Sequence, residues 1–100
     1  MNKKIKTIAD HFGPATQIKK TAEESLEVAE AANDFHCALV VEDDSEELAR
    51  KRAHFIEELA DESIMIEQMI YQLKAEKEFE EVRKQKIART LERIVTGYYA

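Results

Sequence analysis

One hundred residues with a formal charge of −6 are expected to make a single small domain spanning 1–100, near the size at which one core is only modestly stabilising. Two glycines and one proline leave few turns, and 44% hydrophobic with 36% charged residues suits long amphipathic helices rather than a disordered chain. The acidic balance argues against general nucleic-acid binding, which needs basic surface for phosphate, and no stretch approaches the ~20 apolar residues of a membrane span.

A first helix is predicted from about Lys3 to Phe12, stopped by Gly13-Pro14. The basic Met1–Lys6 start has no apolar run behind it, so no signal peptide is expected. A second helix starts near Ala15 and continues to about Phe35 or beyond. Ile18, Ala22, Leu26, Ala29 and Ala32 are its expected buried stripe, and its alanines would let another helix come close. Phe35–Val41 either extends this helix or crosses the end of the bundle. The lone cysteine, Cys37, excludes an intrachain disulfide and fits a reducing cytoplasm; it is expected as a small buried hydrophobe.

Asp43-Asp44-Ser45 reads as the loop, with Asp44 and Glu47 spaced for capping. The third helix is predicted over about Ser45–Lys74, burying Phe55, Leu59, Ile66, Met69, Ile70 and Leu73. The fourth spans about Glu76–Val95, with Phe79, Val82, Ile87, Leu91 and Ile94 as its apolar side and Gly97 at its end. From Arg83 to Arg93 it turns basic, with Arg83, Lys84, Lys86, Arg89 and Arg93 against a lone Glu92.

Two acidic clusters carry the chemistry. Glu24 and Glu27, then Glu58 and Asp61, are each three positions apart on a helix, hence on one face with Cβ atoms roughly 5–6 Å apart. If those helices pack antiparallel, four carboxylates converge and repel unless a cation lies between them; hard oxygen ligands suit Mg²⁺. No Lys or Arg stands four residues beyond Glu24 or Glu27, and Glu58 and Asp61 are followed at that spacing by Glu62 and Met65. The competing reading is a solvated helix face. A di-iron bundle would require Glu-x-x-His pairs, which neither cluster has.

Lys20-x-x-Glu23-Glu24-x-x-Glu27 followed by Glu58-x-x-Asp61 resembles the signature of the MazG-like, all-α nucleoside triphosphate pyrophosphohydrolases. His11-Phe12-Gly13 before Gln17, Ile56-Glu57-Glu58-Leu59-Ala60-Asp61, Ile64-Met65-Ile66-Glu67-Gln68-Met69 and the basic final helix are similar to small phage and prophage members. The resemblance covers about Ala9 to Ile94. It implies a four-helix MazG-like bundle, cytoplasmic and oligomeric, that hydrolyses a nucleotide between its α- and β-phosphates with Mg²⁺. Glu24, Glu27, Glu58 and Asp61 are then the metal ligands and Glu23 the adjoining glutamate that orients or activates water. Gln17 and Lys20, one or two turns earlier, would contact phosphate or base. One departure is Glu62-Ser63 after Asp61, where family members often carry Val then Glu.

Lys86, Arg89 and Arg93 recur at spacings of three and four, a stripe suited to phosphate or, more plainly, to pairing with acidic helices. The expected partners are a nucleotide and a second or further copy of the chain, as homodimer or homotetramer. Leu39, Val40, Val41, Ile64, Ile70 and Tyr71 are its candidate interface residues. His54, one turn before Glu58, is a candidate neighbour of the site. Two alternatives stand beside this reading. One is the related phosphoribosyl-ATP pyrophosphohydrolase, which commonly has His where this chain has Met65. The other is a non-catalytic helical oligomerisation or regulatory protein.

Overall fold

The computed structural model describes residues 2–41 and 44–99; Asp43 of the expected loop lies outside them. Among the described residues there are four helices and no strand: α1 (Lys3–Phe12), α2 (Pro14–Val40), α3 (Ser45–Gln72) and α4 (Glu76–Val95). The chain is all-α, as its composition predicts. Asn2 caps α1 by accepting from the Lys4 N–H, and α1 ends where Gly13 takes φ 82°, a left-handed value that glycine adopts without Cβ strain. Pro14 then occupies the first turn of α2, where its missing N–H costs nothing. Asp44 caps α3 by accepting from the Glu46 and Glu47 N–H groups, as the spacing predicts. At the end of α3, Lys74 adopts φ 53° and the Ala75 N–H reaches back to the Ile70 carbonyl, turning the chain into α4.

The ambiguous Phe35–Val41 stretch is helical through Val40, which makes α2 and α3 the two long members of the fold. They pack against each other along most of their length, and α1 lies across both. Phe35 and Phe55 meet at 6.0 Å between ring centroids near one end of this pair. Tyr71 donates to the Asp10 carboxylate (2.8 Å) and Gln72 to the Ala9 carbonyl (2.8 Å), docking α1 on the last turn of α3.

The core differs from the one periodicity predicts. Helix α2 turns Gln17, Glu24, Ala31 and Ala38 inward, at intervals of seven residues, whereas Ile18 and Leu26 are exposed. Helix α3 buries Met65 and Gln68; Phe55, Met69 and Ile70 are half-buried, and Leu59, Ile66 and Leu73 face solvent. Cys37 is exposed as well, because its neighbour Ala38 takes the inward position. The physical reason is closeness of approach. Alanine and the flat glutamine amide let two helices come together, and the bulkier apolar stripe is left on the outer surface. Of the expected interface residues, Leu39, Val40, Val41 and Ile64 are exposed, while Ile70 and Tyr71 are partly covered, Tyr71 by its bond to α1.

Helix α4 spans the predicted residues but buries none of them. It approaches α3 sparingly and neither α1 nor α2. The chain's accessible surface is 7806 Å², against about 5,800 Å² for a folded monomer of this length. Its radius of gyration is 17.1 Å, where a compact domain would have about 13 Å. No helix among the described residues is long and apolar enough to cross a membrane.

Candidate metal centre

The antiparallel pairing of α2 and α3 brings Glu24, Glu27 and Glu58 together, each offering a carboxylate oxygen within 4.8 Å of the others. Glu24 is 6% exposed and the Glu58 side chain 12%, whereas Glu27 opens to solvent. Glu24 Oε2 and Glu58 Oε2 are fully shielded and accept no hydrogen bond. Buried carboxylate oxygens without donors are costly, and a divalent cation satisfies them directly. Oxygens sharing an octahedral ion at about 2.1 Å lie roughly 3–4 Å apart, so the spread of this trio is within a side-chain adjustment of such a site. The trio is able to hold a metal ion.

Asp61, the fourth expected ligand, is one turn beyond Glu58 but exposed, and it stands outside the trio. Glu23 is also exposed and points its Oε2 to within 3.8 Å of Lys20 Nζ. Lys20 contacts Glu24 Oε1 at 3.2 Å. Its ammonium is held above the ordinary lysine value of 10.5, chiefly by the hydrogen bond to Glu24, then by the charge of Glu24, with smaller contributions from Glu23 and Glu27. The cluster therefore has a cation of its own, contributed from the turn preceding Glu24. Reading charge pairs only toward the C-terminus overlooks it, although Lys20 and Glu24 stand four residues apart.

Gln17 does not face a cavity open to substrate. It is 4% exposed and its amide donates to Gln68 Oε1 at 2.6 Å, joining α2 to α3 about two to three turns from the acidic trio. Gln68, 1% exposed, is the large side chain buried deepest, and the sequence pattern marks it only as a polar member of the α3 face. At the rim of the trio Ser25 donates to Glu62 (2.7 Å), which gives the unexpected Glu62 a contact across the helix pair. His54 is exposed, with its ring nitrogens 3.9 Å from Glu58 and 3.7 Å from Glu57, too long for hydrogen bonds.

Lys86 and Arg89 lie on exposed α4, which does not approach α2 within one chain, so a single chain does not bring the basic stripe to the carboxylates. A groove on that helix is lined by Lys77, Glu80, Glu81, Arg83, Lys84 and Ile87 and includes none of the trio. Comparison with protein-family models, curated proteins and solved structures gives no match for the chain, so the trio's chemistry rests on its own geometry.

Proposed function

We propose that this chain is a Mg²⁺-dependent nucleoside triphosphate pyrophosphohydrolase, acting as a homodimer or homotetramer in the control of a nucleotide pool. The observation that carries this reading is the pair of shielded, donor-free oxygens on Glu24 and Glu58 beside Glu27. Glu24, Glu27 and Glu58 would hold the ion, with Asp61 able to join from the next turn. Bound there, Mg²⁺ supplies charge neutralisation for the phosphate oxygens and for the departing pyrophosphate. Lys20 stands close enough to exchange Glu24 for a phosphate oxygen. Glu23, exposed and next to the ligands, accepts the proton of the attacking water at its carboxylate. The new bond joins water oxygen to the α-phosphorus, the bond to the bridging oxygen breaks, and the products are a monophosphate and pyrophosphate.

The surface supports assembly. The excess of roughly 2,000 Å² per chain over a compact monomer is the scale that obligate interfaces bury, and the unburied apolar side of α4 runs beside its basic stripe. A second copy that covers α4 also gives Lys86 and Arg89 a route to the partner's carboxylates.

The test is pyrophosphate release from a panel of deoxynucleoside and nucleoside triphosphates with and without Mg²⁺. Release that depends on Mg²⁺ and disappears in Glu24→Gln supports the reading. Absence of release from every substrate overturns it in favour of the second reading, a non-catalytic helical oligomer. That second reading draws on the Lys20–Glu24 pair, which partly neutralises the acidic face without any metal. Phosphoribosyl-ATP belongs in the same panel, although Met65 is packed in the α2–α3 core where that family commonly has histidine.

A further inference from the structure

The largest side chain fully buried between α2 and α3 is a glutamine rather than a hydrophobe. Gln68 and Gln17 are 1% and 4% exposed and joined by a 2.6 Å hydrogen bond that Gln17 donates to Gln68 Oε1; the Gln68 amide nitrogen in turn donates to the Met65 sulfur, at 3.5 Å. Replacing both members of such a pair by apolar groups of the same shape is close to neutral for stability, so stability does not account for their presence. Position does. Ten residues along α2 from Gln17 stands Glu27, and ten residues back along α3 from Gln68 stands Glu58. The amide pair and the carboxylates therefore belong to one antiparallel register, about 15 Å apart along the helices.

A slip of one turn, about 5.4 Å, parts the amide pair and changes which carboxylates face each other. In one direction it sets Glu24 against Glu57 or Glu58 and Glu27 against His54 or Phe55; in the other it sets Glu27 against Asp61 or Glu62 and Glu24 against Ile64 or Met65. The first slip leaves Gln17 opposite Ile64 or Met65 and Gln68 opposite Gly13 or Pro14, two amides without side-chain partners, and the second replaces the Gln17–Gln68 bond by Gln17 opposite Tyr71 or Gln72 and Gln68 opposite Lys20 or Thr21. We infer that Gln17 and Gln68 are positioning residues: a polar register lock that selects, among the acidic juxtapositions open to α2 and α3, the one in which Glu24 and Glu27 both lie beside Glu58. The consequence for metal binding rests on the trio being a metal site; the register itself does not.

The experiment uses the full chain with Gln17→Leu and Gln68→Leu together, and two readouts. The first is Mn²⁺ titration by calorimetry without nucleotide, where affinity is expected to fall at least tenfold while helicity and thermal midpoint are retained. The second is register, read in a Cys37→Ser background with Ser25→Cys and Glu62→Cys joined by a short thiol crosslinker and resolved as an intrachain product by mass. The original glutamines should give this product efficiently. The leucine pair should lose part of it and gain products when the second cysteine is placed one turn away, at Leu59→Cys or Ile66→Cys. Should the leucine pair fail to fold, Gln17→Met with Gln68→Met, unbranched like glutamine, carries the same expectation. Unchanged crosslinking overturns the lock whatever happens to Mn²⁺; altered crosslinking with full Mn²⁺ affinity supports the lock and overturns its bearing on the metal. If the unaltered chain binds no Mn²⁺, the metal reading fails and the crosslinking pattern alone decides the lock.

Discussion

Between α2 and α3 the chain buries two glutamines, a glutamate and two alanines, while along α4 it leaves Phe79, Val82, Ile87, Leu91 and Ile94 in solvent. Both regions are amphipathic helix, and hydropathy alone ranks them the wrong way round. Burial within one chain follows the availability of a partner at the right distance. Small and flat side chains let α2 and α3 close on each other, and among the described residues only α3 approaches α4, sparingly. The first region is thus finished by its own sequence, and the second leaves its apolar side uncovered in the single chain.

The largest expected effect breaks the comparison on the finished side. Glu24→Gln should lower Mg²⁺-dependent pyrophosphate release by more than the roughly 10–100-fold that loss of a metal site's outer partners costs. The helical fold should survive, since the change removes one charge from a repelling cluster; circular dichroism beside the rate assay separates the two. Wild-type turnover in this variant would end the assignment of the trio.

On the unfinished side, Leu91→Glu on α4 places a charge in the proposed interface, 59% exposed in the single chain. Sedimentation velocity should show the assembly shifting to monomer, with a thermal midpoint lower by several degrees. Leu26→Glu, on the outer face of α2, is the informative companion. An equal effect there would extend the interface beyond α4, and a monodisperse monomer for the unaltered chain would refute the assembly.

Lys86→Ala and Arg89→Ala link the regions. If these side chains reach phosphate in a partner's site, kcat/KM should fall by the equivalent of about 1.5–3 kcal/mol with little change in metal affinity without nucleotide. If they only pair with surface glutamates, stability should change by well under ~1 kcal/mol and kinetics should hold.

The smallest effect sits where α1 is docked. The Tyr71 phenol is held above its ordinary value of 10.0, first by its hydrogen bond to Asp10 and then by burial and that carboxylate's charge. A raised value in the fold means that the contribution is complete below the unfolded value and is lost as pH rises through the folded one. The difference in thermal midpoint between the unaltered chain and Tyr71→Phe should therefore be constant to about pH 10 and shrink above it. A difference that grows with pH would contradict the bond.

Much of the fold is legible in the residues. Gly13-Pro14, Asp44 and Gly97 punctuate the chain where the helices stop and start, because turns and caps are local chemistry. The acidic site is legible to the extent that spacing on a single helix determines it, and the trio forms across α2 and α3 as two i, i+3 pairs suggest. The inward face of α2 is not legible. Ile18 and Leu26 make the more apolar stripe, and only the close approach of α3 reveals that Gln17, Glu24, Ala31 and Ala38 are the residues that fit. Asp61 lies exposed and outside the trio for a related reason: helical spacing gives its angle, but not its distance from the facing helix. The position of α4 is not legible either: periodicity marks its apolar side but not that this side stays uncovered within the chain.

The Lys20 ammonium has a consequence for any ion that enters the trio. It is tethered one turn from Glu24 and hence always present at high effective concentration. An incoming divalent ion competes with it rather than filling an empty trap, and the threshold for occupancy moves to higher free metal. A singly charged ion gains little by the exchange, because it replaces a like charge already in place. Under the proposed function the same side chain, once displaced, would stand beside the trio when a phosphate arrives. One lysine would thus set both an entry threshold for the ion and a timing for the substrate.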